Sequence, residues 1–414
     1  MAVRVGHGGP GSSDGGICDA AARFVVIRVG HPKTTARGML AISRWAQRVW
    51  NLGACVAVVA CADSSAVAPR PEPEKAPPPG AVSPLVLETF DGSGQAVHPD
   101  FATVPSGWGA APEARYLVAT PYPGGNATYE NPSYYVGDSE TDWHPPTGGI
   151  NPIVRPVSGG YLSDPVQLYD PATNELWLYY RQVTSSNEIY LVRSHDGVTW
   201  DTPVLLFRVA NHLAISPTVV RRSATDWLMW TVNGGGAGCG SAATTVEVRR
   251  SADGVTWSPP KTVSLVSQAG MSPWHIDVSW IAARKEFWAV YNVKEAGSCT
   301  TKQLQFATSP DGVHWTEAPQ PLLQRGAIPE FADVVYRASL SYDALTDRVT
   351  VWYSGARLNQ GAYEWRIATQ EMSRATLLAI VNGELVSASS APPRDADAPI
   401  GERPEVPLTN ETAP

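Results

Sequence analysis

The chain has 414 residues, among them 15 Trp, 15 Tyr, 36 Gly and 36 Pro, and only 17% are charged. Aromatic side chains favour strands while Gly and Pro punctuate turns, so this composition predicts an all-β protein. A net charge of −8 and a pI near 5.5 exclude the basic footprint of a nucleic-acid binder.

Residues 1–38 are rich in Gly and Arg without periodicity and read as an extension ahead of the true start at Met39. From Met39, Arg44 and Arg48 precede the apolar stretch Val49–Ala60 and then Cys61. This is the layout of a positively charged n-region, an h-region and a small-residue cleavage site. Val58-Val59-Ala60-Cys61 resembles a bacterial lipobox, in which the cysteine is acylated. Residues 39–61 are therefore expected to be a lipoprotein signal peptide, and residues 62–83 a proline-rich tether. The expected location is the cell envelope, with the membrane engaged only through a lipid at Cys61; a cleaved signal and secretion is the alternative. The apolar run falls well short of the ~20 residues that a span requires. Residues 387–414, rich in Pro, Ala, Asp and Glu, read as a disordered tail. One domain remains, residues 84–386, and it is expected to be a monomer.

Within it the sequence repeats. Asp138-to-Trp143 is a degenerate first copy of Ser194-His-Asp-Gly-Val-Thr-Trp200, which returns as Ser251-to-Trp257 and Ser309-to-Trp315. The tryptophans lie 57 or 58 residues apart, each followed closely by proline. Upstream of each box runs an aromatic strand: Tyr116–Thr120, Leu176–Arg181, Trp227–Val232 and Phe287–Val293, with a fifth at Val349–Tyr353 that has no box. Another strand opens ahead of each, at Asp100, Asp164, Ser216, Asp277 and Arg337. Three strands plus a fourth after each tryptophan make one blade, and five such units predict a five-bladed β-propeller with four-stranded antiparallel blades. The Asp-Gly pair serves as the turn and the tryptophan packs between blades, so the boxes are structural. Cys239 and Cys299 occupy equivalent loops of adjacent units and are expected to form a disulfide between neighbouring blades.

The inner strands of a propeller converge on its axis, so chemistry is sought at their starts. There the chain places His98-Pro99-Asp100, Asp164, Ser216, His275-Ile276-Asp277 and Arg337, with Glu130 on the same rim. Facing carboxyl groups are the minimum for glycosidic hydrolysis, and like charges in a concave site raise one pKa to supply the acid. A single aspartate beside a turn proline is commonly just a turn former; it is the convergence that points to a site. His144, His195, His212 and His314 read as surface residues. The order of the Tyr-Glu-Asn-Pro-Ser, Ser-Asp-Pro, Ile-Ser-Pro-Thr, Trp-His-Ile-Asp-Val and Tyr-Arg-Ala-Ser-Leu segments over residues 85–375 resembles a bacterial family related to five-bladed propeller glycosidases. In the wider clan of arabinanases, β-xylosidases and fructosidases, aspartates opening blades one and two are base and pKa tuner, and a glutamate opening blade three is the acid. The resemblance implies that Asp100 is the base and Asp164 the tuner. Blade three offers Ser216-Pro217 instead, so Glu130 or Asp277 would serve as acid.

The expected function is an extracytoplasmic glycoside hydrolase. Asp100, Glu130, Asp164 and Asp277 line one cavity in this reading, and His98, His275, Arg337, Tyr129 and Trp274 hold a carbohydrate substrate. A non-catalytic sugar-binding propeller or a protein-binding scaffold is the alternative. The Asp boxes resemble those of sialidases, but only Arg337 is placed to bind a carboxylate. No cofactor is expected, and no Cys/His spacing marks a metal site; a structural calcium on the axis is the one metal left open.

Overall fold

The computed structural model describes residues 84–385 apart from residues 112, 138, 140 and 266–269. The expected extension, signal peptide, tether and tail lie outside the described residues. Five antiparallel sheets form the blades of a propeller. Blade one holds β1 (Ala96–Thr103), β2 (Arg115–Pro121) and β3 (Ser133–Val136). Blade two holds β4 (Tyr161–Asp170), β5 (Glu175–Val183), β6 (Asn187–Ser194) and β7 (Val204–Val209). Blade three holds β8 (Ile215–Ser223), β9 (Asp226–Asn233), β10 (Thr245–Ser251) and β11 (Lys261–Thr262). Blade four holds β12 (Met271–Ile281), β13 (Glu286–Glu295), β14 (Thr301–Ser309) and two short outer strands, β15 (Thr316–Glu317) and β16 (Leu323–Gln324). Blade five holds β17 (Val334–Asp343), β18 (Arg348–Asn359) and β19 (Ala362–Ser373), followed by α1 (Arg374–Val381), whose first turn is capped by the Ser373 hydroxyl.

The fourth strand is not uniform. In blade one it shrinks to a single bridge between Val136 and His144, directly after Trp143. In blade five its place is taken by the start of the domain: Pro84 bridges Ala368, and the Leu85 N–H donates to the Ile367 carbonyl at 2.7 Å. The two ends of the domain thereby share a sheet, which closes the ring and pairs an edge that would otherwise be open.

The boxes do what their residue types dictate. Asp253 Oδ1 accepts the N–H groups of Val255 and Thr256 at 2.8 and 2.7 Å, and the Ser251 hydroxyl accepts from the Gly254 N–H at 2.9 Å. Asp196 and Asp311 repeat the pattern. Gly254 has φ +73°, and an added Cβ would lie 2.9 Å from rings of Trp177 and Tyr179 in the previous blade. The turn needs glycine for both its dihedral and its proximity. Each box tryptophan packs back onto the preceding blade: Trp200 on Tyr134 at 4.8 Å, Trp257 on Tyr179 at 6.4 Å and Trp315 on Trp230 at 6.2 Å between ring centroids. Trp177 stacking on Trp227 and Phe101 on Trp352 fill two further blade boundaries. The core therefore lies between blades, and burying these rings is what holds the ring of blades together.

Around the axis, polar side chains stitch each inner strand to the next. Asp100 Oδ2 accepts the Gln167 N–H at 2.7 Å, and Asp164 Oδ2 accepts the Ser216 N–H at 3.2 Å. Ser216 Oγ accepts the Ile276 N–H at 3.3 Å and Thr218 Oγ1 accepts the Val278 N–H at 3.2 Å. Asp277 Oδ2 accepts the Leu340 N–H at 3.1 Å. These contacts satisfy buried strand donors that have no partner within their own sheet.

Candidate active site

Bulges aim the functional side chains. The β1–β2, β4–β5 and β8–β9 ladders each slip at the start of the inner strand, between Val97 and Asp100, Ser163 and Val166, and Ile215 and Thr218. His98, Asp164 and Ser216 occupy the slips with φ of 55°, 51° and 51°, and each precedes a proline. A non-glycine residue at positive φ is strained, and a bulge re-aims its side chain. Here the side chains are turned onto the axis. This corrects the expected register: the partner of Asp164 in blade one is His98, not Asp100, because the bulge inserts two residues before the ladder resumes.

His98, Asp164 and His275 meet there, only 2%, 0% and 1% exposed. Asp164 Oδ1 stands 3.5 Å from His98 Nε2 and 3.3 Å from His275 Nδ1. Its other oxygen pairs with Arg181 Nε at 2.8 Å, and the Arg337 guanidinium lies 3.5 Å from Oδ1. Burial acts to raise the Asp164 carboxyl, but Arg181 and the two imidazoles outweigh it and hold it well below the usual range. Burial pushes His98 well below its ordinary value and lowers His275, against the pull of Asp164 in both cases, so both imidazoles are neutral near pH 7. His98 Nδ1 meets the Thr120 hydroxyl at 3.0 Å and lies 3.5 Å from Glu130 Oε2.

What remains unsatisfied is informative. His98 Nε2 and His275 Nε2 are buried without a hydrogen-bond partner, and His275 Nδ1 faces Asp164 Oδ1 at 3.3 Å. Buried polar atoms are rarely left so, because each costs on the order of 1–3 kcal/mol. One ligand atom from each of the three residues lies within 4.8 Å of the others. Two neutral imidazoles and a carboxylate, with Thr120 behind one ligand and Arg181 behind another, fit a divalent transition-metal cation. No local spacing marks these three residues as a ligand set, since they are 66 and 111 positions apart.

A narrow pocket opens above the cluster, lined by His98, Glu130, Arg181, Tyr161, Trp274, Tyr336 and the Cys239–Cys299 disulfide. Its space is about 20 Å³, room for a water-sized group and not for a sugar ring. The Tyr336 ring packs against both imidazoles, 4.5 Å from His275 and 5.4 Å from His98.

The four expected carboxylates do not share this pocket. Glu130 lines it and Asp164 lies beneath it. Asp100 and Asp277 line instead a cavity of about 890 Å³ at the opposite mouth of the axis, where the inner strands end. Burial and the nearby Asp277 raise the Asp100 carboxyl well above its ordinary range, and burial raises Asp277 in spite of Arg337. Of the expected substrate-holding residues, His98 and Trp274 line the pocket and His275 is buried below it. Arg337 is 1% exposed and is engaged with Asp164 and the Pro217 carbonyl. Tyr129 is exposed, on the short turn Ala127–Tyr129 leading to Glu130. His212, expected at the surface, is half-buried against the loop carrying Gly238. Sequence reasoning passed over Arg181, which sits mid-strand on β5 with no strand-start signal, and Tyr336, which lies beside the chosen Arg337.

No protein-family profile matches the chain. It is 28% identical over 310 residues to the A type blood N-acetyl-α-D-galactosamine deacetylase of Flavonifractor plautii, covering 63% of this chain and 40% of that protein. The chain thus spans two fifths of the length of that relative. It superposes with a TM-score of 0.64 on a crystal structure of an N-acetylgalactosamine deacetylase from F. plautii in complex with blood group B trisaccharide, at 22% identity, covering 73% of this chain and 98% of that one. A thermostable family-43 glycoside hydrolase superposes at 0.51 with 12% identity, covering 66% and 88%. At these identities the likenesses show the fold: a five-bladed propeller shared by glycosidases and by a deacetylase.

Proposed function

We propose that this protein is a carbohydrate-active hydrolase that removes the N-acetyl group from an acetamido sugar at the mouth of a glycan. The observation that carries the reading is the buried His98–Asp164–His275 cluster, with its unpartnered nitrogens, under a pocket that also holds Glu130. The printed activity of the F. plautii relative agrees with it. A glycosidase of the related clan requires an acid opening blade three and a space that seats a sugar ring between two carboxylates; this pocket has neither feature.

His98, Asp164 and His275 would hold a divalent cation, whose chemistry is to polarise a carbonyl and lower the pKa of a bound water. The rest falls to the chain's own side chains. Glu130 lies within one side chain of the cluster, placed to take the proton of an attacking water and return it to the departing amine nitrogen. Tyr336 holds both imidazoles in place. Arg181 keeps Asp164 ionised. Trp274 and Tyr161 offer apolar surface to the acetyl methyl group and the sugar face. The amino sugar stays in the glycan and acetate leaves.

The cell-envelope location rests on the Cys61 motif alone, and Cys61→Ala would release the protein from membranes if the cysteine is acylated. The activity is tested by incubating the protein, metal-loaded, with N-acetylated glycans and assaying acetate. Acetate release lost in His275→Ala and after chelation supports the reading; a wild-type protein that releases no acetate from any acetamido glycan overturns it.

A further inference from the structure

Blade three contributes to the pocket in an unusual way. Blades one, two, four and five each reach it from the inner or middle strands or the turns beside them: His98 and Glu130, Tyr161 and Arg181, Trp274, and Tyr336. Among the described residues of blade three, only Cys239 lines it. The inner-strand residue Ser216 is 0% exposed and spends its hydroxyl on blade four, donating to the Ile276 carbonyl and accepting the Ile276 N–H. The wall that would carry the acid of a glycosidase is made here by a loop and a disulfide.

That loop is Asn233-Gly-Gly-Gly-Ala-Gly-Cys-Gly-Ser241. Its glycines let it lie flat: Gly238 has φ +56°, and a Cβ there would stand 2.6 Å from the His212 ring. Three ties carry it across the blade boundary. Cys239 is bonded to Cys299, the Gly297 N–H donates to the Ser241 carbonyl at 3.2 Å, and the fully buried Lys294 donates its Nζ to the same carbonyl at 2.8 Å. A glycine-rich segment has the largest entropy to lose on ordering. Such a segment stays against a pocket only if it is fastened: the Gly234 N–H donates to the His212 carbonyl at 2.8 Å, and the three ties across the blade boundary come from blade four.

We infer that the Cys239–Cys299 disulfide and the glycine-rich loop are the specificity-determining wall of the site, setting which acetamido sugar can lower its acetyl group onto the cluster. The inference rests on the proposed deacetylase reading. The loop closes the blade-three side of the pocket with sulfur and backbone instead of a charged side chain. It offers no proton to a glycosidic oxygen, and its sulfurs give apolar contact to the group that enters the pocket. Cys239 and Cys299 supply no proposed cation ligand and no acid or base, so the wall acts on binding and not on the chemical step.

The test compares wild type with Cys239→Ala/Cys299→Ala and, separately, with Gly238→Ala, which forces the loop off His212 without touching the sulfurs. Acetate release is measured on N-acetylgalactosamine- and N-acetylglucosamine-terminated oligosaccharides, binding of the same sugars is followed by calorimetry, and bound metal by elemental analysis. The expected result in both variants is a KM and a Kd raised about tenfold or more for the preferred sugar, a narrowed preference between the two sugars, and kcat and metal content within about twofold of wild type. Unchanged KM, Kd and preference, with only a lower melting temperature, would make the disulfide a structural staple and overturn the inference. A wild-type protein that binds an acetamido sugar without releasing acetate fails the deacetylase reading while the Kd comparison still decides the wall; one that neither binds nor hydrolyses overturns both.

Discussion

The two mouths of the propeller axis use the same kinds of residue for different ends. At the wide mouth, a cavity of about 890 Å³ has Asp100 and Asp277 on its lining, and both carboxylates accept backbone N–H groups from the next blade. At the narrow mouth, about 20 Å³ of space sits over Asp164 and two imidazoles whose Nε2 atoms have no hydrogen-bond partner. Volume alone would select the first, and unsatisfied polar chemistry selects the second. An acidic residue on the axis is thus structural when its lone pairs are spent on strands, and a candidate for chemistry when the atoms around it are left open.

This contrast can be broken by substitution. The largest expected effect is at the narrow mouth: His275→Ala or Asp164→Asn removes a proposed ligand and abolishes acetate release together with bound metal, while Glu130→Gln lowers kcat by about 10²–10⁴-fold with metal retained. Kinetics beside elemental analysis separate the two classes. At the wide mouth, Asp277→Ala strands the Thr218 hydroxyl and the Leu340 N–H and should cost about 1–3 kcal/mol in urea unfolding, with kcat little changed. Asp277→Asn keeps an acceptor for the Leu340 N–H and can donate to the Thr218 oxygen, mimicking the neutral acid that burial favours, so it should be tolerated far better than alanine.

Away from the axis, Gly254→Ala forces a Cβ toward Trp177 and Tyr179 at positive φ; a loss of about 1–3 kcal/mol without change in KM is expected. The smallest effect is on pH. Backbone N–H groups, that of Thr256 foremost, lower Asp253 from 3.8 to about 2. A carboxyl depressed on folding stabilises fully above its unfolded pKa, so the contribution is present above pH 4 and fades as pH falls toward about 2. Melting curves across that window should flatten slightly in Asp253→Asn.

The repeat was legible because each blade needs the same turn and the same boundary tryptophan, and a repeated physical demand leaves a repeated text. The closure of blade five was not, since Pro84 and Leu85 resemble no strand on their own and acquire a partner only when the ring closes. At the axis, the dipeptides His98-Pro99, Asp164-Pro165 and Ser216-Pro217 carried the correct register, but aligning on aspartate moved blade one by two residues. A bulge alters pairing without altering composition, so it is invisible to residue-type reasoning. The His98–Asp164–His275 cluster was hidden for a related cause: three residues from three blades have no local spacing. Arg181 lay on a middle strand, where an arginine reads as surface until the fold turns it inward.

The central claim is that the narrow pocket cleaves an amide and leaves the glycosidic bond alone. Mass spectrometry of an N-acetylated oligosaccharide after incubation with the metal-loaded protein decides it directly. The expected product has unchanged chain length and has lost one acetyl group, with acetate in equal amount. A free monosaccharide that retains its acetamide would contradict it.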